Sequence, residues 1–461
     1  MDTSVAINDL KHAFENRSFF QLGDREVLGL LHSAYYTEIS YLTSAYFAGC
    51  PAATSPRTRS PSEVLYGTKY PEVDRTLTGL LALRWIEKNA YHYFTQNQSS
   101  STRLRYESFK ELREYFHAHT RRFMNHDIVF TLVTMQVTND LGKSAQLKID
   151  LEGHLPRGVP VSSNHDMMML QILELDQSAK LIPSFSHLRP DLRNAAYESI
   201  HLSAGFNPGQ LVQGECAPAA LTILTKLDLS ERDLHLKFME LFLDVAGARG
   251  HVNHEGSLTM TEACYQDYCL VRDVSLKVAS GAMSPWEAYK AVLRSKTKAL
   301  QQSGWRVPKG FDLARDAAAI AKTRIFCMAR VIDAETADLI NCVYENLTVR
   351  IREALEEGLC RYGTVDRPAV QPTYMPAMFA NLKSHAHPAH AFAALLTYLA
   401  QVLTLTRDDL AQLEPGTVIV ERDVREILEN CMRSDMFLRD PHAVVNASTS
   451  LPALQVLQKT H

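Results

Sequence analysis

Apolar residues recur at three- and four-residue steps over Val73–Phe94, Phe109–Phe123, Asp233–Ala246, Pro285–Gln301, Asp312–Ala329, Ala334–Glu357 and His390–Leu405. That spacing paints one face of a 3.6-residue helix. The two-residue alternation of a half-buried strand is sparse; Ala145–Leu151 and Gly416–Glu421 are its only short candidates. The pattern predicts an all-α, mainly helical protein. Three stretches rich in Pro, Ser and Thr or in small polar residues read as connectors: Pro51–Ser62, Gln96–Thr102 and Arg361–Pro376. They suggest an N-terminal helical extension and loop over 1–64, a helical core over 65–304 and a C-terminal helical region over 305–461. No repeat at solenoid period interrupts this organisation.

Composition narrows the class. With 461 residues, 46% of them hydrophobic, the chain can bury a large core without disulfides or a structural metal. Lys and Arg number 48 against 52 Asp and Glu, a net charge of −4 that argues against a dedicated nucleic-acid binder. No apolar run approaches a membrane span, and the N-terminus lacks the basic-then-apolar layout of a secretion signal. The eight cysteines show no CxxC pairing and read as buried thiols of a reducing compartment, so a cytoplasmic location is expected. The phosphate-binding glycine loops, the GxSxG elbow and the kinase motif set are all missing from the sequence.

Histidine is concentrated between positions 90 and 260. Asn125-His126-Asp127 and Asn164-His165-Asp166 each precede an apolar helical run, and Asn139-Asp140-Leu141-Gly142-Lys143 lies between them. Helices that bring imidazoles and carboxylates to one point are how helical bundles build metal sites, and that donor mixture suits iron, zinc or manganese. The plainer reading is that Asn125 or Asp127, and Asn164 or Asp166, cap the following helices. In the same way Gly142 and Lys143 would make an ordinary helix C-terminus.

The segment FTLVTMQVTNDLGKS resembles the signature helix of the HD-domain superfamily, and NHDMMMLQILE resembles the second His-Asp helix of its myo-inositol-oxygenase branch. The resemblance covers roughly residues 110–245 in element order. It implies an HD-like helical core holding one or two iron ions. Asp140 would bridge the metals and Lys143 would end the motif. His165 would be a second-metal ligand with Asp166 beside it. His201, in preference to His187, and Asp244 would complete the set. The upstream histidine stays open among His92, His117, His119 and His126. The chain departs from the pattern at Asn139, where the first metal-binding histidine should stand. Three alternatives follow: a single metal, His126 as substitute, or a scaffold without metal.

Loop residues add candidates. Arg249 and His251 sit in AGARGHVNHEGSLTM, a glycine-flanked segment suited to orienting a polar or anionic substrate. AGFNPGQLVQGECAP carries Glu215 and Cys216, which could close over a ligand; no base is paired with the thiol in sequence. The expectation is a metal-dependent, oxygenase-type enzyme with a small-molecule substrate, with zinc or manganese as alternatives to iron. It includes no nucleic-acid or membrane partner, and it leaves room for a homo-oligomer. Beside it stand a metal-dependent phosphohydrolase and a metal-free cyclase, isomerase or binding protein.

Overall fold

A computed structural model describes residues 3–46, 58–162, 164–175, 178–308, 310–380, 382, 385–428, 430, 435–447 and 451–459. Most of the connector expected at 51–62, Cys50, Cys431 and the side chain of Asn446 lie outside the described residues. Helix dominates, and the strands form one three-stranded sheet, so the all-α class expected from the periodicity holds. Among the described residues no helix is long and apolar enough to cross a membrane.

The chain forms two compact units whose boundaries differ from the expected three-part division. One comprises 1–204 and 227–269, the other 205–226 and 270–461. The N-terminal extension therefore belongs with the core it precedes.

In the first unit, α1 (Thr3–Glu15) packs on α2 (Asp24–Ala34) through Ile7, Leu10, Phe14, Val27 and Leu31, all buried. The centre is a junction of three helices: α3 (Pro71–Glu87), α5 (His126–Thr138) and α9 (Glu231–Gly247), with α4 (Tyr106–Thr120) beside them. α3 begins with Pro71 at its first turn, where the missing N–H costs nothing. It stops at Glu87, short of the expected Phe94, because Asn89 turns into the left-handed region at φ 53°. Asn125 caps α5 by accepting the Ile128 N–H, and Ser230 forms a capping box with Asp233 at the start of α9.

Residues Ala145–Glu152, a strand candidate by their alternation, form a helix instead, α6. Ser144 accepts the Leu147 N–H, and the only β-type pairing nearby is a single bridge to Ala45. Without a partner strand, alternation cannot hold a segment extended. Helix α7 (His165–Leu173) follows, capped by Asn164, which accepts the Asp166 and Met167 N–H groups. Both asparagine caps expected in the plainer reading are therefore present.

In the second unit, α10 (Pro285–Gln302), α11 (Ala317–Met328), α12 (Ala334–Asn346), α13 (Val349–Cys360) and α14 (Pro388–Leu403) surround a core that includes Ile325, Phe326, Leu355, Leu395 and Leu399. α12 and α13 divide the stretch expected as one helix, since Leu347 is extended. Strand β1 (Ala369–Thr373) pairs in parallel with β2 (Thr417–Asp423), which pairs antiparallel with β3 (Leu454–Lys459). The sequence pattern anticipated β2 alone. Arg324 is fully buried and donates to the carbonyls of Gly214, Glu215 and Leu359. That explains why residues 205–226 belong with this unit.

The backbones of α3 and α9 approach closely. A Cβ added to Gly247 would collide with the Arg75 carbonyl oxygen, and one added to Gly79 would lie 2.7 Å from the Leu243 carbonyl oxygen. Gly247→Ala should therefore cost about 1–3 kcal/mol in urea unfolding. Gly29→Ala, in open space on α2, should instead stabilise by about 0.5–1 kcal/mol. Equal effects of the two substitutions would show that the α3–α9 approach is looser than described.

Candidate active site

The close α3–α9 approach places three sets of charged side chains on one seam. In α3, Glu72 and Arg75 lie one turn apart, and Gly79 follows one turn later. In α9, Lys237, Glu240 and Asp244 recur at three- and four-residue steps through its apolar second half. α5 contributes Gln136 and, just past its end, Asp140 and Lys143 in a single 3-10 turn. Each set occupies one helical face, as this spacing requires.

The network is largely buried and well paired. Lys143 Nζ lies 2.6 Å from Asp140 Oδ1 and 3.6 Å from Glu72 Oε2. Arg75 donates from Nη1 to both oxygens of Glu72, at 2.8 and 3.0 Å. Lys237 donates to Glu240 Oε2 at 2.8 Å. Glu72 and Glu240 are each only 1% exposed, whereas the side chains of Arg75, Lys143 and His165 keep 18%, 13% and 28% of their surface. Arg75, Lys143 and His165 are therefore its least buried members.

Burial pushes the carboxyl groups of Glu72 and Glu240 up to about 7. Lys143 opposes the shift at Glu72, and Lys237 opposes it at Glu240. Asp244 is raised by burial and by the neighbouring Asp140. Asp140 goes the other way: burial would raise it, but Lys143, Arg75 and His165 together hold it below the usual carboxylate range. Burial works against the charge of Lys143, yet Asp140 and Glu72 more than compensate and raise its pKa. Carboxyls held apart in this way are the usual basis of acid and base assignments.

Gly142 makes the fourth approach. A Cβ there would collide with the carbonyl oxygen of His165, so the Asp140–Lys143 turn lies directly against the first residue of α7. This glycine lies in the turn after α5, which already ends at Thr138, so it does not stop that helix as the plainer reading of DLGK supposed. It permits contact between two backbones, and that contact brings His165 within electrostatic range of Asp140.

Of the residues singled out from sequence, Asp140, Lys143, Asp244 and His165 meet at the seam, with the buried Asp166 3.5 Å from His165. The others do not join them. His126 starts α5 at the far end from Asp140, 40% exposed, 3.6 Å from Glu15. His201 is equally exposed and faces Glu198 at 3.6 Å on its own helix, α8 (Pro190–Gly205). Arg249 is exposed, and His251 is half-buried in the loop after α9. Farther along that loop, His254 Nε2 lies 2.9 Å from Thr58 Oγ1. In the second unit, Cys216 is buried, and burial raises its pKa, the opposite of an activated thiol. Sequence reasoning missed Glu72, Arg75, Lys237 and Glu240. Their signal was charge repeated at helical spacing inside apolar helices.

The iron expected from the resemblance can be tested against these residues. Asn139 stands at the first histidine position, and His126 and His201 point elsewhere. The ammonium of Lys143 is already on the carboxylate that should bridge two metals. Among the described residues no group of three His, Cys, Asp or Glu side chains is arranged to hold a metal ion. The donor set does not fit a di-iron centre. Instead, Arg75 and Lys143 bring positive charge to Glu72 and Asp140.

Lys143→Met would strand Asp140 and Glu72 beside a missing cation and should cost about 3–5 kcal/mol in chemical unfolding. Combined with Asp140→Asn, the loss should be smaller than the sum of the two single losses. Additive losses would mean that the pair is not coupled.

The pH response has a definite sign. Glu72 and Glu240 bind protons more tightly folded than unfolded, so their contribution is complete below about 4.5 and disappears as pH rises through about 7. Asp140 contributes in the opposite sense, but its stabilisation is lost only as pH falls below the usual carboxylate range. Unfolding free energy should therefore decline between about pH 5 and pH 8, and Glu240→Gln should flatten the decline. A flat wild-type profile would contradict the assignment.

No curated protein and no solved structure matches the chain. A family model does, over residues 28–444, which takes in the whole seam and most of the second unit. The chain belongs to that family, described as a family of unknown function (DUF6829).

Proposed function

We propose that this protein is a metal-independent acid–base enzyme, of the isomerase or cyclase kind, acting on a small polar molecule at the seam of a degenerate HD-like helical scaffold. The observation that carries the reading is Lys143 Nζ lying 2.6 Å from Asp140 Oδ1. A side-chain ammonium holds the carboxylate that the resemblance would assign to metal. The order of motifs along the chain, with Asp140, His165 and Asp244 meeting at one seam, supports the HD-like ancestry.

The roles follow from position. Asp244 is half-buried, and burial and Asp140 favour its protonated form. It is the group best placed to take and return a substrate proton. Glu240, one turn deeper on the same helix, shares that proton demand. Lys143 and Arg75, held rigidly by Asp140 and Glu72, stabilise negative charge developing on the substrate without having to reorganise. A cytoplasmic location and independence from nucleic acid and membranes belong to the same reading. They are supported by the net charge of −4 and by the thiols Cys216, Cys342 and Cys360.

The reading is tested with chelator-treated protein in D2O. Small polar metabolites are followed by NMR for exchange of carbon-bound hydrogen, with metal content measured on the same sample. Exchange that persists without metal and falls about 10²-fold or more in a folded Asp244→Asn variant is the expected result. Near-stoichiometric iron, zinc or manganese that is lost in Asp140→Asn would overturn the reading. So would exchange indifferent to Asp244→Asn.

A further inference from the structure

The second unit holds a cavity of about 770 Å³ between the segment 406–414, which includes the short helix Arg407–Gln412, and the start of strand β3. Small-molecule sites occupy about 300–1,000 Å³, so its size is that of a ligand site. The β2–β3 register explains one wall. Arg422 of β2 pairs with Leu454 of β3, and Val420 pairs with Val456. Directly paired residues share a face of the sheet, and alternate residues of a strand return to it. Leu454 and Val456 therefore stand on the face that carries Arg422, and all three line the cavity. Half-buried Leu413 and Leu451 extend the aliphatic lining, and Asp409 and Glu414 add two carboxylates.

A second observation says what the wall lacks. The Arg422 side chain is 2% exposed, and most of its guanidinium is engaged. Nη1 donates to the carbonyls of Gln401, Val402 and Thr404, and Nη2 donates to Asp409 Oδ2 at 2.9 Å. Nε is buried and has no hydrogen-bond partner. Buried donors are rarely left without an acceptor. The charges of the wall, by contrast, are matched: Asp409 pairs with Arg422, and Glu414 pairs with Lys459. The missing group is an acceptor oxygen, not a counter-ion.

We infer that this cavity binds an uncharged aliphatic carbonyl compound, an amide or ester. Its carbonyl oxygen accepts from Arg422 Nε, and its carbon chain lies along Leu413, Leu451, Leu454 and Val456. Burial of the chain supplies affinity, and the single polar contact fixes orientation. A carboxylate would bring an acceptor but would add a third negative charge to a wall that already carries Asp409 and Glu414. An ammonium would leave Nε without an acceptor and would set a second cation beside Arg422. The site belongs to the second unit, and the inference does not rest on the acid–base reading.

Octanamide, octanoate and octylammonium share one carbon chain and differ in the head group. Isothermal titration of the full chain at about pH 7 should show saturable binding of octanamide, about tenfold or more tighter than that of the other two. Leu454→Trp and Ala453→Trp place an indole in the cavity from its β3 side. Each variant, checked for folding by circular dichroism, should abolish the binding. Ala453 lines the cavity yet is exposed, so its substitution leaves the core untouched. Absence of saturable octanamide binding would overturn the inference. Equal binding of the three compounds would do the same, since it would reveal an apolar surface indifferent to the head group. So would tighter binding of octanoate or octylammonium, or octanamide binding that survives in both variants. The comparison among ligands uses wild-type protein alone, so it decides the matter even if a variant does not fold.

Discussion

Charges brought together at a junction of three helices must be satisfied there, because water does not reach them freely. Glu72 is held by Arg75 and Lys143, Asp140 by Lys143, and Glu240 by Lys237. Removing Lys237 leaves the buried Glu240 without its cation, which costs more than the intact pair contributes to stability. Such a network is a poor way to gain stability. It is an effective way to specify one packing of α3, α5 and α9 and to hold ionisable groups at unusual proton affinities.

The glycines make that burial feasible. Gly79 and Gly247 let the backbones of α3 and α9 touch, which brings Arg75 and Asp244 within electrostatic range of each other. Gly142 performs the same service between the Asp140–Lys143 turn and His165. The site is therefore built on rigid helices and one short turn, not on mobile loops. That matches what proton transfer needs, since misplacement of a base by an ångström is expensive in rate. The glycine-rich segment around Arg249 contributes Gly247 to the α3–α9 contact.

The second unit uses buried charge differently. Arg324 and Arg422 each satisfy several backbone carbonyls, Arg324 at the 214–215 loop and the end of α13, Arg422 at the end of α14. Their guanidinium groups act as caps for carbonyls that helix ends and loops leave over. The buried carboxyl of Glu215, pushed up to about 8 by burial and by the neighbouring Glu421, accepts the Tyr374 N–H in the same unit.

Helical periodicity by itself determined the class of the protein and helices such as α3, α4, α9 and α14, and two-residue alternation anticipated strand β2, because burying one face of an element is a local demand written along its own residues. Capping at Asn125 and Asn164 was equally legible, since a cap needs only its own next turn. The motif NDLGK and the downstream Asp244 were legible as chemistry, but the histidines expected to complete them were not, because order along a chain does not say which helix faces meet. Only the tertiary structure decided that His126 and His201 point away, that Ala145–Glu152 coils for want of a partner strand, and that Glu72, Arg75, Lys237 and Glu240 share the seam. The physical reason is that backbone contact at Gly79, Gly142 and Gly247 depends on segments far apart in sequence, and the electrostatics of every group in the seam follow from that contact.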